Sequence, residues 1–264
     1  MKRLIVTADD FGISPGVNAA IEDSHRHGIL SAASLMVAGD AAADAVARAR
    51  RLPSLGVGLH LVLVDGAPIL PPARLPDLVD ATGRFPNAPA RLGARLYFSA
   101  AARRQAEAET RAQLDAFRAT GLPLDHVNAH HHFHFHPAVR DLLIRLAPEY
   151  GIRAIRVPRE PGNMLLRPFA ASLRRRFDRA GIVHNDWQLG LSDTGAMTTA
   201  RTKELLGLLP NGVTEIYFHP APGNDDHQAL VDPEIVAMLK ARHLHPTVFA
   251  QLWCNGTMDT GVRR

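Results

Sequence analysis

The stretch His126-Val-Asn-Ala-His-His-His-Phe-His-Phe-His136 holds six of the fourteen histidines in this 264-residue chain. The residues leading into it, Leu124–Ala129, alternate well enough to predict a short strand, and Pro137 begins a helical segment. The histidines therefore start where a strand ends, which is where α/β proteins place their chemistry. Because neutral imidazole is the commonest metal ligand, the stretch predicts a metal site. A solvent-exposed polar turn rich in histidine is the alternative.

The chain before this stretch alternates between predicted strands and helices. Apolar runs predict three buried strands, at Leu4–Ala8, Ser31–Val37 and Val57–Leu63. The first helix has Ser14 at its N-cap, Pro15 at its first position and Gly28 at its end, and a second helix is predicted at Ala41–Arg51. This β-α-β-α-β order is that of a parallel sheet with helical crossovers.

The remaining pattern continues in the same way to the end of the chain. Further predicted elements are helices at Ala100–Thr120, Ala138–Tyr150, Thr199–Leu209 and Pro233–Arg242, strands at Ala154–Val157, around Trp187, at Thr214–Phe218 and at Thr247–Leu252, and an amphipathic segment at Leu165–Ala180. The sequence has neither repeats nor a linker that would divide it. We therefore expect one α/β domain over residues 1–264, an irregular, TIM-like (β/α) barrel with a parallel strand core.

One proline-rich segment, Val64–Ser99, interrupts the alternation with six prolines and few charges. A long connection inside a compact domain is usually a lid or a binding loop. A surface insertion with no part in binding fits the sequence equally well. The domain is therefore predicted to carry a Pro-rich insertion at about 64–99.

Composition excludes several classes of protein. Hydrophobic residues make up 46% and charged residues 21%, which is typical of a soluble globular protein. The single Cys254 cannot form an internal disulfide. The first apolar run is too short for a signal peptide and no window could span a bilayer, so a cytoplasmic location is expected. The formal charge is +4, but the arginines are spread along the chain with little aromatic interleaving, so no nucleic-acid partner is expected.

Polar residues at the ends of the apolar strands predict a single site. Asp9 and Asp10 follow the first strand, His60 lies in the third, His130 ends the next and His219 follows a later one. In a parallel barrel the carboxyl ends of all strands open on one face. Buried carboxylates and imidazoles are costly unless paired or ligated, so a divalent ion shared by one Asp and two His would stabilise them. Such a set leaves positions open for water and substrate, as in hydrolytic metal sites.

Each of these residues also has a structural explanation when it is taken alone. The Asp9-Asp10 pair could form a turn with an N-cap, His60 could be a hydrogen-bonded core histidine, and His219-Pro220 could simply end a strand. Their joint placement at strand ends favours the shared site.

Four segments resemble the signature blocks of the YdjC-like carbohydrate deacetylases. They are Thr7-Ala-Asp-Asp-Phe-Gly12, Gly58-Leu-His-Leu61, His130-His-His-Phe-His134 and Phe218-His-Pro-Ala221. The blocks extend over most of the chain, and their combination and order are more specific than any one of them. The resemblance implies an irregular (β/α) barrel that removes the N-acetyl group from amino sugars.

The resemblance also implies roles for individual residues. Asp10, His60 and His130 would hold one divalent ion, Asp9 would be the general base and His219 the general acid. Magnesium or zinc is expected, and manganese or cobalt would also suit these ligands. This chain has Asn128 where some members of the family have Asp, and an amide cannot act as a base and alters the hydrogen bonding around the ligands. The sequence leaves open whether the other histidines of the stretch support the ligands, contact substrate or are exposed; these are His131, His132, His134 and His136.

A narrower resemblance lies in Arg156-Val-Pro-Arg-Glu160 and in the first twelve residues, which are similar to the deacetylases linked to hopanoid biosynthesis. It implies a lipid-linked amino-sugar substrate, an acetylglucosaminyl hopanoid, and peripheral contact with the inner membrane. The Leu165–Ala180 segment has the composition of an interfacial helix, and an ordinary barrel helix with solvated arginines is the alternative. The sequence leaves a homodimer open.

Two other functions fit parts of the sequence. The first is a metallohydrolase acting on another bond, a phosphoester or a different amide, with Arg156 and Arg159 as candidate phosphate donors. The second is a non-catalytic sugar-binding or nucleic-acid-binding module that uses the basic surface. The adjacent Asp9 and Asp10 argue against the second, because a binding module has little use for two acids at a strand end.

Overall fold

The computed structural model describes residues 2–161 and 167–254 of the chain. Its centre is a six-stranded parallel sheet with the strand order β4-β3-β2-β1-β6-β5. The strands are β1 (Lys2–Phe11), β2 (Ala32–Leu35), β3 (Gly56–Leu61), β4 (Val127–Ala129), β5 (Trp187–Leu189) and β6 (Gly212–Phe218). Strand β1 lies between β2 and β6, and its residues Leu4–Ala8 are buried, as expected for a central parallel strand.

Helices connect the strands and cover the sheet. They are α1 (Pro15–His27), α2 (Ala42–Ala49), α3 (Pro89–Phe98), α4 (Ala100–Ala119), α5 (Pro137–Tyr150), α6 (Arg167–Arg179), α7 (Thr199–Gly207), α8 (Asp225–Val231), α9 (Pro233–Ala241) and α10 (Ala250–Cys254). Helix α1 begins as predicted, because Ser14 Oγ accepts the Val17 N–H at 3.2 Å and Pro15 occupies the first turn.

The sheet curls into an irregular half-barrel, which confirms the predicted fold class. Beyond β4, one parallel bridge joins Val127 to Ile155 and another joins Ala154 to Val183, so the edge of the sheet turns back toward the segment before β5. The predicted strand at Ala154–Val157 is thus reduced to isolated bridges, and this is where the barrel is irregular.

The predicted closing strand at Thr247–Leu252 is wrong. Thr247 makes one isolated bridge to Ile5, and the chain then enters α10. The Asp125 carboxylate accepts the N–H groups of Phe249 and Ala250, at 3.3 and 2.7 Å, so these groups are satisfied without a strand partner. Helix α8 was not predicted; Asn224 caps it by accepting the His227 N–H at 2.9 Å.

The Pro-rich insertion has more structure than its composition predicted. It contains α3 and a short 3₁₀ helix at Pro72–Arg74, and several of its apolar side chains are buried in the core. The Glu109 carboxylate on α4 accepts the N–H groups of Ile69 and Leu70, at 2.8 and 3.0 Å, and so fastens the insertion to that helix.

The amphipathic segment predicted at Leu165–Ala180 forms α6, although residues 165 and 166 lie outside the described residues. Ala170, Leu173 and Phe177 are buried, whereas Phe169 is 65% exposed despite its place in the four-residue repeat. Of the helices that the structure describes, none combines the length and the hydropathy needed to cross a lipid bilayer.

Candidate metal centre

The two adjacent aspartates lie at the carboxyl end of β1, where the strand is irregular. The register with β2 shifts between Ala8 and Phe11, and Asp10 adopts a left-handed backbone conformation with φ of 63°. A non-glycine residue in this conformation is uncommon and is often found at functional sites. The bulge lets both carboxylates reach polar partners at the same edge of the sheet.

Asp10, His60 and His130 meet in space as predicted. Asp10 Oδ1 lies 3.3 Å from His60 Nε2 and 3.3 Å from His130 Nδ1, and the two ring nitrogens are 3.2 Å apart. The three side chains come from the ends of β1, β3 and β4, which the parallel sheet brings to one edge. Three ligand atoms therefore form a nearly equilateral triangle.

This triangle fits a single metal ion. Metal–ligand bonds of about 2.0–2.2 Å at tetrahedral or octahedral angles put neighbouring ligand atoms about 2.8–3.6 Å apart. Within the described residues, Asp10 Oδ1 is buried and receives no hydrogen bond of normal geometry. Burial by itself raises the pKa of Asp10, and the neighbouring His130 and His60 rings more than offset this, so the pKa of the carboxyl lies below its usual range. An ionised carboxylate with an unused buried oxygen is suited to a cation.

Asn128 determines which nitrogen of His60 faces the triangle. The Asn128 Oδ1 lies 2.7 Å from His60 Nδ1, and the Asn128 Nδ2 donates to Asp9 Oδ1 at 3.0 Å and to Ser34 Oγ at 2.8 Å. His60 Nδ1 therefore donates its proton to the amide oxygen, which leaves the lone pair of Nε2 free for a ligand. An Asp at position 128 would place a negative charge beside Asp9 and could not donate to it.

Asp9 is held by a buried arginine. Arg156 Nη1 donates to Asp9 Oδ2 at 2.6 Å and Nη2 to Asp9 Oδ1 at 2.9 Å, while the same guanidinium binds Glu215 at 2.7–2.9 Å. Burial alone would raise the pKa of Asp9, but the charge of Arg156 outweighs it and holds this pKa well below the usual range. Asp9 is consequently ionised and fixed in orientation.

The contacts of Arg156 and Arg159 bear on their predicted role as phosphate donors. Arg156 is fully buried and already binds two carboxylates, so it does not offer its guanidinium to a substrate phosphate. Arg159 lies 3.9 Å above the centre of the Trp187 ring.

His219 follows β6, the strand that pairs with β1. Phe218 is in register with Ala8, so His219 lies level with Asp9 on the neighbouring strand. The His219 N–H donates to the buried Asp226 carboxylate at 2.7 Å, and its ring is 5.4 Å from that of Tyr217. The structure thus brings all five predicted site residues to one edge of the sheet.

The other histidines of the stretch occupy different environments. His131 is exposed and lies 3.4 Å from Asp65, and with His130 these two residues form a second, more open group of potential ligands. His132 lies 3.4 Å from the Tyr217 hydroxyl. His136 accepts the Ala138 N–H at the start of α5.

His134 is fully buried. In the part of the chain that the structure describes, neither of its ring nitrogens has a hydrogen bond of normal geometry. Burial, together with the nearby charge of Arg156, lowers the pKa of His134 to about 3. The folded protein therefore contains this ring in its neutral form.

Reasoning from the sequence missed the groups that support the site. These are Ser34, Asp125, His126 and Glu215. Glu215 gave a signal, because it is a lone acid inside the apolar run of β6 and such a residue needs a buried partner. Ser34 is small enough to fit a buried strand with or without a polar role, so its sequence context predicts nothing.

The half-barrel and the Asp–His–His triangle at its carboxyl edge together define a (β/α)-barrel protein with a candidate metal site. The chain belongs to the YdjC-like protein family, whose model matches residues 3–244.

Similar proteins agree with this assignment. A carbohydrate deacetylase of Brevibacillus brevis is 45% identical over 150 residues, which cover 57% of each chain. A chitooligosaccharide deacetylase of Enterobacter sp. is 37% identical over 161 residues, 60% of each chain. In both alignments the chain spans less than two thirds of the relative's length. A crystal structure of a candidate cellobiose-phosphate cleavage protein from Enterococcus faecalis shares the fold, with a TM-score of 0.79, 24% identity and coverage of 95% of this chain and 98% of that one.

Proposed function

We propose that this chain is a metal-dependent carbohydrate N-deacetylase that hydrolyses the acetamide of an N-acetylglucosamine-containing substrate. The observation that carries the proposal is the triangle of Asp10 Oδ1, His60 Nε2 and His130 Nδ1, with sides of 3.2–3.3 Å. Membership of the YdjC-like family supports it, as do the names of the two relatives.

Asp10, His60 and His130 would hold the ion. A bound divalent ion supplies Lewis acidity, which polarises a carbonyl group and makes a water molecule more acidic. Two imidazoles and one carboxylate suit zinc, and also manganese, cobalt or magnesium. Asn128 contributes by keeping His60 in the tautomer that presents Nε2.

Asp9 and His219 would move the protons. Asp9, ionised and oriented by Arg156, accepts a proton from the attacking water as its oxygen bonds to the acetyl carbon. Protonated His219 then donates to the nitrogen as the C–N bond breaks, so that the products are acetate and a free amine. Without this donor the leaving group would be a poor amide anion.

A lipid-linked substrate such as an acetylglucosaminyl hopanoid is a narrower proposal. The exposed Phe169 and the exposed arginines of α6 support contact with an anionic membrane surface. Co-sedimentation with anionic vesicles at low salt tests that contact, and failure to pellet would reject it. A homodimer, the cytoplasmic location and a single domain over residues 1–264 stay predictions.

Acetate release from a panel of N-acetylglucosaminyl compounds tests the activity. We expect acetate and free amine in equal amounts, loss of the reaction after treatment with a chelator, and recovery when a divalent ion, zinc or magnesium first, is returned. The O-acetylated counterparts serve as a matched control for the amide bond. Absence of acetate from every compound, with protein that demonstrably contains an ion, would reject the proposal.

A further inference from the structure

A chain of buried hydrogen bonds leads away from the candidate metal centre through Asn128. The Asn128 Nδ2 donates to Ser34 Oγ at 2.8 Å, Ser34 Oγ lies 2.9 Å from His126 Nε2, and His126 Nδ1 lies 2.9 Å from Asp125 Oδ2. All four side chains are buried, with at most 4% of any of them exposed. These residues belong to β2, to β4 and to the segment just before β4.

The donor and acceptor roles along this chain follow from its far end. Asp125 accepts the N–H groups of Phe249 and Ala250 and therefore acts as an acceptor, so His126 Nδ1 is the donor. In the neutral form of the His126 ring Nε2 is then an acceptor, and the hydroxyl of Ser34 donates to it. The remaining lone pairs of Ser34 Oγ face the amide nitrogen of Asn128.

The near end of the chain fixes the orientation of the Asn128 amide. With Nδ2 committed to Ser34 and to Asp9, Oδ1 must face His60, whose Nδ1 therefore carries the proton. We infer that Ser34, His126 and Asp125 are positioning residues that hold His60 in the tautomer with Nε2 free. The claim that this tautomer favours ion binding rests on the proposed function. The claim that His60 adopts this tautomer rests on the hydrogen bonds alone.

Packing around His126 keeps the chain in place. A Cβ atom at Gly58 would lie 2.5 Å from His126 Cε1, so only glycine leaves room for the ring. The Phe249 ring also packs against His126, with 4.8 Å between the ring centres. Gly58 belongs to the Gly58–Leu61 block noted in the sequence, and the close packing of the His126 ring explains why a glycine stands at this position.

Imidazole ¹⁵N chemical shifts of the zinc-free protein test the inference directly. Burial alone would lower the pKa of His60, but the charges of Asp9 and Asp10 outweigh it and raise this pKa. The spectra are therefore recorded at increasing pH until the shifts no longer change, where both rings are neutral and the shifts report which nitrogen carries the proton. We expect His60 and His126 both to be protonated on Nδ1 alone, with signals assigned by their loss in His60→Gln and His126→Gln. A proton on Nε2 of His126 in the unaltered protein would overturn the inference without any need for a variant.

Ser34→Ala removes the middle link, and Ser31→Ala is its matched control. Ser31 is also buried, at 7% exposure, but among the described residues its hydroxyl bonds to the backbone of Val6 alone. In Ser34→Ala the Asn128 amide keeps its bond to Asp9 but loses its second acceptor, so we expect a mixture of His60 tautomers. We expect the zinc dissociation constant to rise about tenfold, the lower end of the range for disturbing the hydrogen-bonded partner of a metal ligand. Ser31→Ala should change neither. An unaltered tautomer and zinc affinity in folded Ser34→Ala would overturn the inference.

The two claims fail in different ways. Zinc-free tautomers that respond to Ser34→Ala, in a protein that binds no ion, would support the positioning chain and reject the proposed function. Normal zinc binding, with a His60 tautomer that is unchanged in Ser34→Ala, would support the proposed function and reject the positioning chain. Asp125→Asn adds a second variant, since its amide can donate to His126 and should move the His126 proton to Nε2.

Discussion

The partners of Asp9 and Asp10 give these two neighbouring residues different roles in the site. Its carboxylate shares Arg156 with Glu215, and all three groups are buried. Burying charged groups costs several kcal/mol each unless they are paired with good geometry, and here the guanidinium uses most of its donors on the two acids. Asp9 and Asp10 are neighbours in the chain, yet one is held by an arginine and the other faces two imidazoles.

Asp9→Asn separates the proposed proton transfer by Asp9 from the binding of the ion. We expect the variant to bind the same amount of ion as the unaltered protein, because Asp10, His60 and His130 are unchanged. Turnover should fall by roughly 10²–10⁴, the usual contribution of a general base. Acetate release and metal content are measured on the same samples, with Asp23→Asn, on the surface of α1, as the control. Activity close to normal in Asp9→Asn would assign the base to another residue.

His134 makes stability depend on pH. The unfolded chain protonates this ring below about pH 6.5, and the folded protein does so only near its pKa of about 3. The unfolded state therefore binds more protons between these limits, and stability falls as the pH drops below 6.5. At pH 5 the loss amounts to about 2 kcal/mol.

His134→Leu removes this titration while keeping an apolar, buried side chain. Urea unfolding at pH 7.5 and pH 5 should show that the variant loses about 2 kcal/mol less than the unaltered protein over this interval. His245→Gln, at an exposed position, is the control. Equal losses in His134→Leu and the unaltered protein would show that His134 is not buried in its neutral form.

At the scale of elements, the sequence predicted those that carry local signals. Helix α1 has its cap, its proline and its terminal glycine, and β1 and β6 have apolar runs, so all three were found. The segment Ala154–Val157 was predicted as a strand but makes only single bridges, because strand pairing depends on neighbours that are distant in the chain. Thr247–Leu252 failed for a similar reason, since the distant Asp125 satisfies the backbone there.

The fastening of the Pro-rich insertion to α4 gives an element-scale prediction. Glu109→Ala removes the acceptor of the partly buried N–H groups of Ile69 and Leu70, and a typical hydrogen bond of this kind contributes about 0.5–1.5 kcal/mol. We expect a lower urea midpoint and faster proteolysis within residues 64–99. Glu107→Ala is the matched control, because Glu107 forms surface ion pairs with Arg111 and Arg145, and such pairs contribute roughly 0–1 kcal/mol. Equal effects of the two substitutions would contradict this account of the insertion.

At the scale of the whole molecule, the parallel sheet explains how scattered residues meet. Asp10, His60 and His130 come from three strands. The rule that carboxyl ends share one edge predicted that the polar residues at the strand ends converge, and the resemblance to the YdjC-like family selected these three as ligands. The supporting groups could not be predicted in this way. These contacts depend on which side chains face each other across the curled sheet, where Arg156 contacts both Asp9 and Glu215 and His126 contacts Ser34. The hydrophobic periodicity of the sequence does not indicate which side chains face each other in this way.

Metal content per chain after equilibrium dialysis tests the central claim most directly. The Asp65→Ala variant is the control, because Asp65 belongs to the more open group that shares His130. We predict one tightly held divalent ion in the unaltered protein and in Asp65→Ala, and loss of that ion in Asp10→Ala, His60→Ala and His130→Ala. Full binding in Asp10→Ala, or an ion lost only in Asp65→Ala, would contradict the shared site.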